Sequence, residues 1–80
     1  MKIIQEVRFH YVLMKDADEW YLTFMSGGPV EIDFCVKLNS DEVQRIKNDS
    51  QAVESIISDL KADKDTLMQR RVFPSIWPSR

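Results

Sequence analysis

His10 and Cys35 are the only His and Cys in this chain, and they are the first residues to test for chemistry. Each stands on the polar side of an apolar–polar alternation, so both could occupy the solvent face of one sheet. A Cys–His pair is nucleophilic when the two groups are within hydrogen-bond reach and the setting is electropositive. Glu31 and Asp33 flank Cys35 on the same side of its strand and would push the thiol pKa up, which argues against a nucleophile. One His and one Cys also fall short of a transition-metal site, which needs three or four ligands. The carboxylates Asp16, Asp18 and Glu19 offer a conceivable oxygen-only site. However, Asp16-Ala17-Asp18-Glu19 lacks the glycine and the distal Glu of an EF-hand loop and is better read as a charged turn. Ser26-Gly27-Gly28 is too short to cradle a phosphate. Glu31 and Asp33 as an acid–base pair would need a cleft that a chain of this length has little room for. No catalytic residue, cofactor site or metal site is expected, and the chain reads as a non-enzyme.

The 80 residues are 44% hydrophobic and 30% charged, with two Gly, three Pro and a net charge of −2. That suits one small folded domain near the lower limit for a core without staples. The mild acidity speaks against generic nucleic-acid binding. A lone cysteine gives no disulfide, and no segment approaches the ~20 apolar residues of a membrane span. Glu6 and Arg8 interrupt any apolar leader, so a cytoplasmic location is the expectation. Seven acids and four bases fall between residues 39 and 65. Arg70, Arg71 and Arg80 follow with no further acid.

The elements that would position these side chains follow from periodicity. Residues 3–14 predict a first strand with Val7, Phe9, Tyr11 and Leu13 inward. Residues 20–25 predict a second, with Trp20, Leu22 and Phe24 on one face and Tyr21, Thr23 and Met25 on the other. After the Ser26-Gly27-Gly28-Pro29 turn, Val30, Ile32, Phe34, Val36 and Leu38 predict the inward face of a third. Asn39 and Glu42 form a capping-box signature. A helix over about 40–48 follows, then a second over about 51–69, or one continuous helix. The stripe Val53, Ile56, Ile57 and Leu60 covers the sheet, with Leu67 and Met68 as its extension. Pro74 and Pro78 keep residues 72–80 extended. The expected fold is therefore α+β, a three-stranded antiparallel meander under one or two helices, with an apolar tail.

The run Val36 to Asp49, a strand ending in Leu38-Asn39 followed by acids and a short helix, resembles the architecture of small bacterial toxin-immunity proteins. The resemblance spans roughly residues 20–62 and implies stoichiometric binding to a toxin domain, with acids Glu31, Asp33, Asp41 and Glu42 steering association. The side chains expected to meet a protein partner are Arg8, His10, Tyr21, Met25, Glu31, Asp33, Asp41 and Glu42, together with Phe73 and Trp77 of the tail. The tail is expected either to dock on its own domain or to serve a partner or second copy. A small regulatory inhibitor of phage or mobile-element origin and a sheet-surface RNA binder are the alternative functions.

Overall fold

The computed structural model describes residues 2–8, 10–25 and 32–77. The expectations placed on Phe9, the 26–29 turn, Val30, Glu31, Pro78 and Arg80 lie outside these residues. Four strands, β1 (Lys2–Val7), β2 (Tyr11–Asp16), β3 (Glu19–Met25) and β4 (Asp33–Lys37), precede three helices, α1 (Ser40–Asn48), α2 (Ala52–Ala62) and α3 (Lys64–Arg70). The sheet is antiparallel in the order β1-β2-β3-β4, confirming the α+β class. No helix among the described residues is long and apolar enough to cross a membrane.

The expected first strand is in fact a hairpin. The chain reverses after Val7, where His10 N–H donates to the Val7 carbonyl at 3.0 Å, and Val7 lies directly opposite Tyr11. Directly opposed residues share a face, so a three-residue loop between positions 7 and 11 leaves the odd-numbered alternation unbroken. The turn was invisible to periodicity and carries no Gly, Pro, Asn or Asp to announce it. Val7, expected inward, is 40% exposed because it ends on the outermost strand. At the β2–β3 turn, Ala17 takes a positive φ of 56°, a conformation that disfavours a residue with a Cβ.

The inward face of the central strands is as the alternation predicts. Tyr11, Leu13, Leu22, Phe24, Val36 and Leu38 pack with Ile46, Val53, Ile56, Ile57, Leu60 and Leu67 in one core, and Trp20, Phe34 and Val43 lie against it. Burying each such side chain contributes ~1.5–3 kcal/mol. Ile32, expected inward, is 46% exposed, since β4 begins only at Asp33. Leu38 remains buried one residue past the strand, its N–H donating to the Trp20 carbonyl at 2.9 Å.

Asn39 caps α1 in a reciprocal box, its side chain accepting from Glu42 N at 2.8 Å while Glu42 Oε1 accepts from Asn39 N at 3.0 Å. Asp49 ends α1, and its carboxylate accepts from Gln51 N. The predicted 51–69 helix is broken at Asp63, whose side chain accepts from both the backbone N and the hydroxyl of Thr66 and starts α3. That second cap turns the stripe so that Leu67 is buried while Met68 is 56% exposed.

Candidate partner-binding surface

The second face of the sheet was expected to meet water or a partner, but it is largely buried. Val12, Met14, Thr23 and Cys35 are each no more than 1% exposed. The chain's own C-terminal segment lies against this side. Thr23 Oγ1 donates to the Ile76 carbonyl at 2.7 Å, and Trp77 Nε1 donates to Asp33 Oδ2 at 3.3 Å. Of the two expectations for the tail, docking on its own domain is the one the structure adopts.

The tail also closes the β4 edge. In an antiparallel ladder alternate residues direct their carbonyls away from the neighbouring strand. On β4 these are Asp33, Cys35 and Lys37, and residues from the last position of α3 onward reach all three. Arg70 Nη2 donates to the Lys37 carbonyl at 2.9 Å. Val72 N–H donates to the Cys35 carbonyl at 2.6 Å, beside a bridge pairing Val36 with Arg71. Arg71 Nη2 and Ser75 Oγ reach the Asp33 carbonyl at 3.3 and 3.5 Å. The Arg71 guanidinium lies between the rings of Phe34 and Phe73, 4.8 and 5.1 Å from their centroids. Its buried Nε has no hydrogen-bond partner among the described residues, so stacking rather than hydrogen bonding holds that end of the group.

This closure determines where several predicted contact residues sit. Glu42 is buried and forks Arg70 at 2.5 and 3.1 Å, so it locks α1 to α3 and is withdrawn from the acidic patch. Burial pushes its carboxyl up, but hydrogen bonds from Arg70 and the Asn39 backbone outweigh that and hold it below the ordinary Glu value. The hydroxyl of Ser75 holds the Asp33 carboxyl down against partial burial, with smaller help from Trp77 and Arg71. Tyr21 is half-buried and donates to Glu19, which also pairs with Lys37 at 2.7 Å. Asp41 is exposed in the first turn of α1. Phe73 is 78% exposed and Trp77 51% exposed, so the tail docks through its backbone, its polar groups and the half-buried Val72 and Ile76 rather than through its aromatic rings.

His10 and Cys35 do not share an exposed face. His10 turns toward α2, with Nε2 3.4 Å from Glu54 Oε1, while Cys35 is fully buried. Among the described residues no group of three His, Cys, Asp or Glu side chains converges as metal ligands.

The opposite edge is built differently. No strand among the described residues lies beyond β1, and Ile3, Ile4 and Val7 are 39%, 37% and 40% exposed. The register shifts between Ile3 and Gln5, which marks a bulge in the edge strand. Gln5 Nε2 donates to the Tyr11 hydroxyl at 2.8 Å, pinning β1 to β2 from the core side. Burial, then the nearby Glu54 charge, raise the Tyr11 pKa against that hydrogen bond. Beside Val7, a shallow cleft of about 190 Å³ runs between His10, Met25 and the exposed Trp77 ring. It brings His10, Met25 and Trp77, three residues expected at a partner surface, to the end of the open edge; Arg8, exposed in the hairpin loop, adjoins them in sequence. The apolar groups of β1 itself escaped sequence reasoning. The available signal was the β-branched pair Ile3-Ile4 beside Lys2. Compared with known protein families, with curated proteins and with solved structures, the chain matches none of them.

Proposed function

We propose that this chain is a non-catalytic protein-binding module that engages its partner along β1, and most concretely that it is an immunity protein neutralising a bacterial toxin domain. The observation that supports this reading is the open β1 edge with Ile3, Ile4 and Val7 exposed along it. An exposed edge offers backbone hydrogen bonds for affinity, and its alternating side chains provide selectivity. The bulge between Ile3 and Gln5 and the terminal Lys2 disfavour indiscriminate edge-to-edge pairing, which suits a shaped partner. The exposed acids of the helical layer, including Asp41 and Glu54, would steer a basic partner toward the molecule.

Co-expression with a toxin domain encoded beside the chain tests this reading. Restored growth and a one-to-one complex that Ile4→Lys disrupts are expected. Lack of any neighbouring toxin would overturn the immunity version, and a complex unaffected by Ile4→Lys would overturn the role of the edge.

A further inference from the structure

One corner of the sheet gathers positive charge in a protein whose net charge is −2. Lys2 of β1 stands directly opposite Lys15 of β2, and Lys15 stands directly opposite Trp20 of β3. Directly opposed residues share a face, and Trp20 packs against the core, so both lysines lie on the helix-bearing side. Lys47 of α1 reaches over the same indole, its Nζ 5.8 Å from the ring centroid. Like charges directly opposite across a ladder are disfavoured, and here the opposed Lys15 is half-buried. Among the described residues no carboxylate lies within ion-pair distance of Lys2, Lys15 or Lys47.

The acids of the adjoining turn border this corner without forming an ion pair with Lys2, Lys15 or Lys47. Asp16 lies beside Lys2 and Lys15, and Asp18 and Glu19 lie beside Lys15. Asp16 and Glu19 oppose each other in the next register position, hence on the other face, where Glu19 is held by Lys37 and Tyr21. Between this turn and the first turn of α1 runs an open groove of about 380 Å³, walled by Lys15, Trp20 and Lys47 and also by Asp18 and the paired Glu19 and Lys37. That volume falls in the range of small-ligand sites, ~300–1,000 Å³.

We propose that this corner binds an oligophosphate chain, either free or carried by a nucleotide. The row from Lys2 through Lys15 to Trp20 crosses two strand spacings, about 10 Å, with Lys47 poised over its far end. A single compact anion cannot reach across that span, whereas linked phosphates place an oxygen against each ammonium group in turn. Binding relieves the opposition of Lys2 and Lys15, and the indole offers a planar surface to a base when one is attached.

The test titrates the whole protein with sodium tripolyphosphate, ATP and sodium sulfate at matched ionic strength, read by backbone and indole N–H shifts. Saturable shifts centred on Lys2, Lys15, Trp20 and Lys47 are expected with tripolyphosphate and weaker ones with sulfate. Lys15→Gln and Lys47→Gln should each weaken binding about tenfold, the loss of one charge-assisted contact. Lys61→Gln, which alters a lysine lying over Phe24 instead, should leave it unchanged. Equal affinity for tripolyphosphate and ATP identifies the phosphate chain as the ligand, and tighter ATP binding with larger Trp20 shifts adds the base. Shifts that never saturate, or an equal loss in Lys61→Gln, would reject the site as diffuse counter-ion attraction.

Discussion

The two edges of this sheet are handled in opposite ways. Along β4 the carbonyls of Asp33, Cys35 and Lys37 are each taken up by Arg70, Arg71, Val72 or Ser75. Along β1 no described strand follows, and three aliphatic side chains stand a third or more exposed. A bare edge is a template for pairing, and folded proteins normally cover, charge or bend it. Among the described residues, the chain covers one edge with its own continuation and bends and charges the other. The difference shows that long-range contacts within the chain stabilise β4, whereas no such contact is found beyond β1 among the described residues.

Removing residues 72–80 should break this asymmetry most severely. Losing half-buried Val72 and Ile76 and the Val72–Cys35 hydrogen bond is expected to cost about 2–4 kcal/mol, a fall in Tm of about 10 °C or more. Cys35, buried beneath the segment, should become reactive to a thiol reagent. An unchanged Tm with a protected thiol would mean that the tail does not stabilise the sheet.

Next in size is the clamp that starts the tail. Glu42→Gln leaves Arg70 without its charged partner in a setting where the two side chains are only 12% and 26% exposed, and should cost about 1–3 kcal/mol. The pH dependence follows from the lowered Glu42 pKa. The pair's contribution is complete above the ordinary Glu value of 4.5 and is lost as pH falls through the lower folded value. Acid melting curves of the wild type and Glu42→Gln should therefore converge below that window, and curves that remain parallel would exclude the linkage.

Asp33→Asn sharpens the contrast at lower amplitude. Its carboxylate is held by the Ser75 hydroxyl and the Trp77 indole at the half-buried start of β4, so a loss of about 0.5–1 kcal/mol is expected by denaturant titration. Ile4→Lys on the open edge should have the least effect on folding, within about 0.5 kcal/mol, while abolishing partner binding. If it instead unfolds the protein, β1 is a structural strand whose exposure has no bearing on recognition.

Much of the fold was legible in the residues. The alternation through β3 and β4 set which side chains enter the core, and the Asn39–Glu42 box marked the start of α1, because both depend on neighbours within four residues. The hairpin in residues 2–16 was hidden because Val7 and Tyr11 oppose each other and keep the same parity. The helix break at Asp63 depended on one side chain finding the Thr66 backbone, a local competition that the apolar stripe did not register.

By itself, the sequence determined the α+β class, the helix-facing core and an extended C-terminal segment, since periodicity, capping chemistry and proline stereochemistry act over a few residues. Tertiary structure alone decided that Arg70, Arg71 and Val72 close β4, that Glu42 is withdrawn to clamp Arg70, and that no described strand pairs beyond β1. Each of those outcomes joins residues about 30 or more positions apart, or depends on what lies beyond an edge. Such relations are set by how the layers pack and leave no mark in the local pattern.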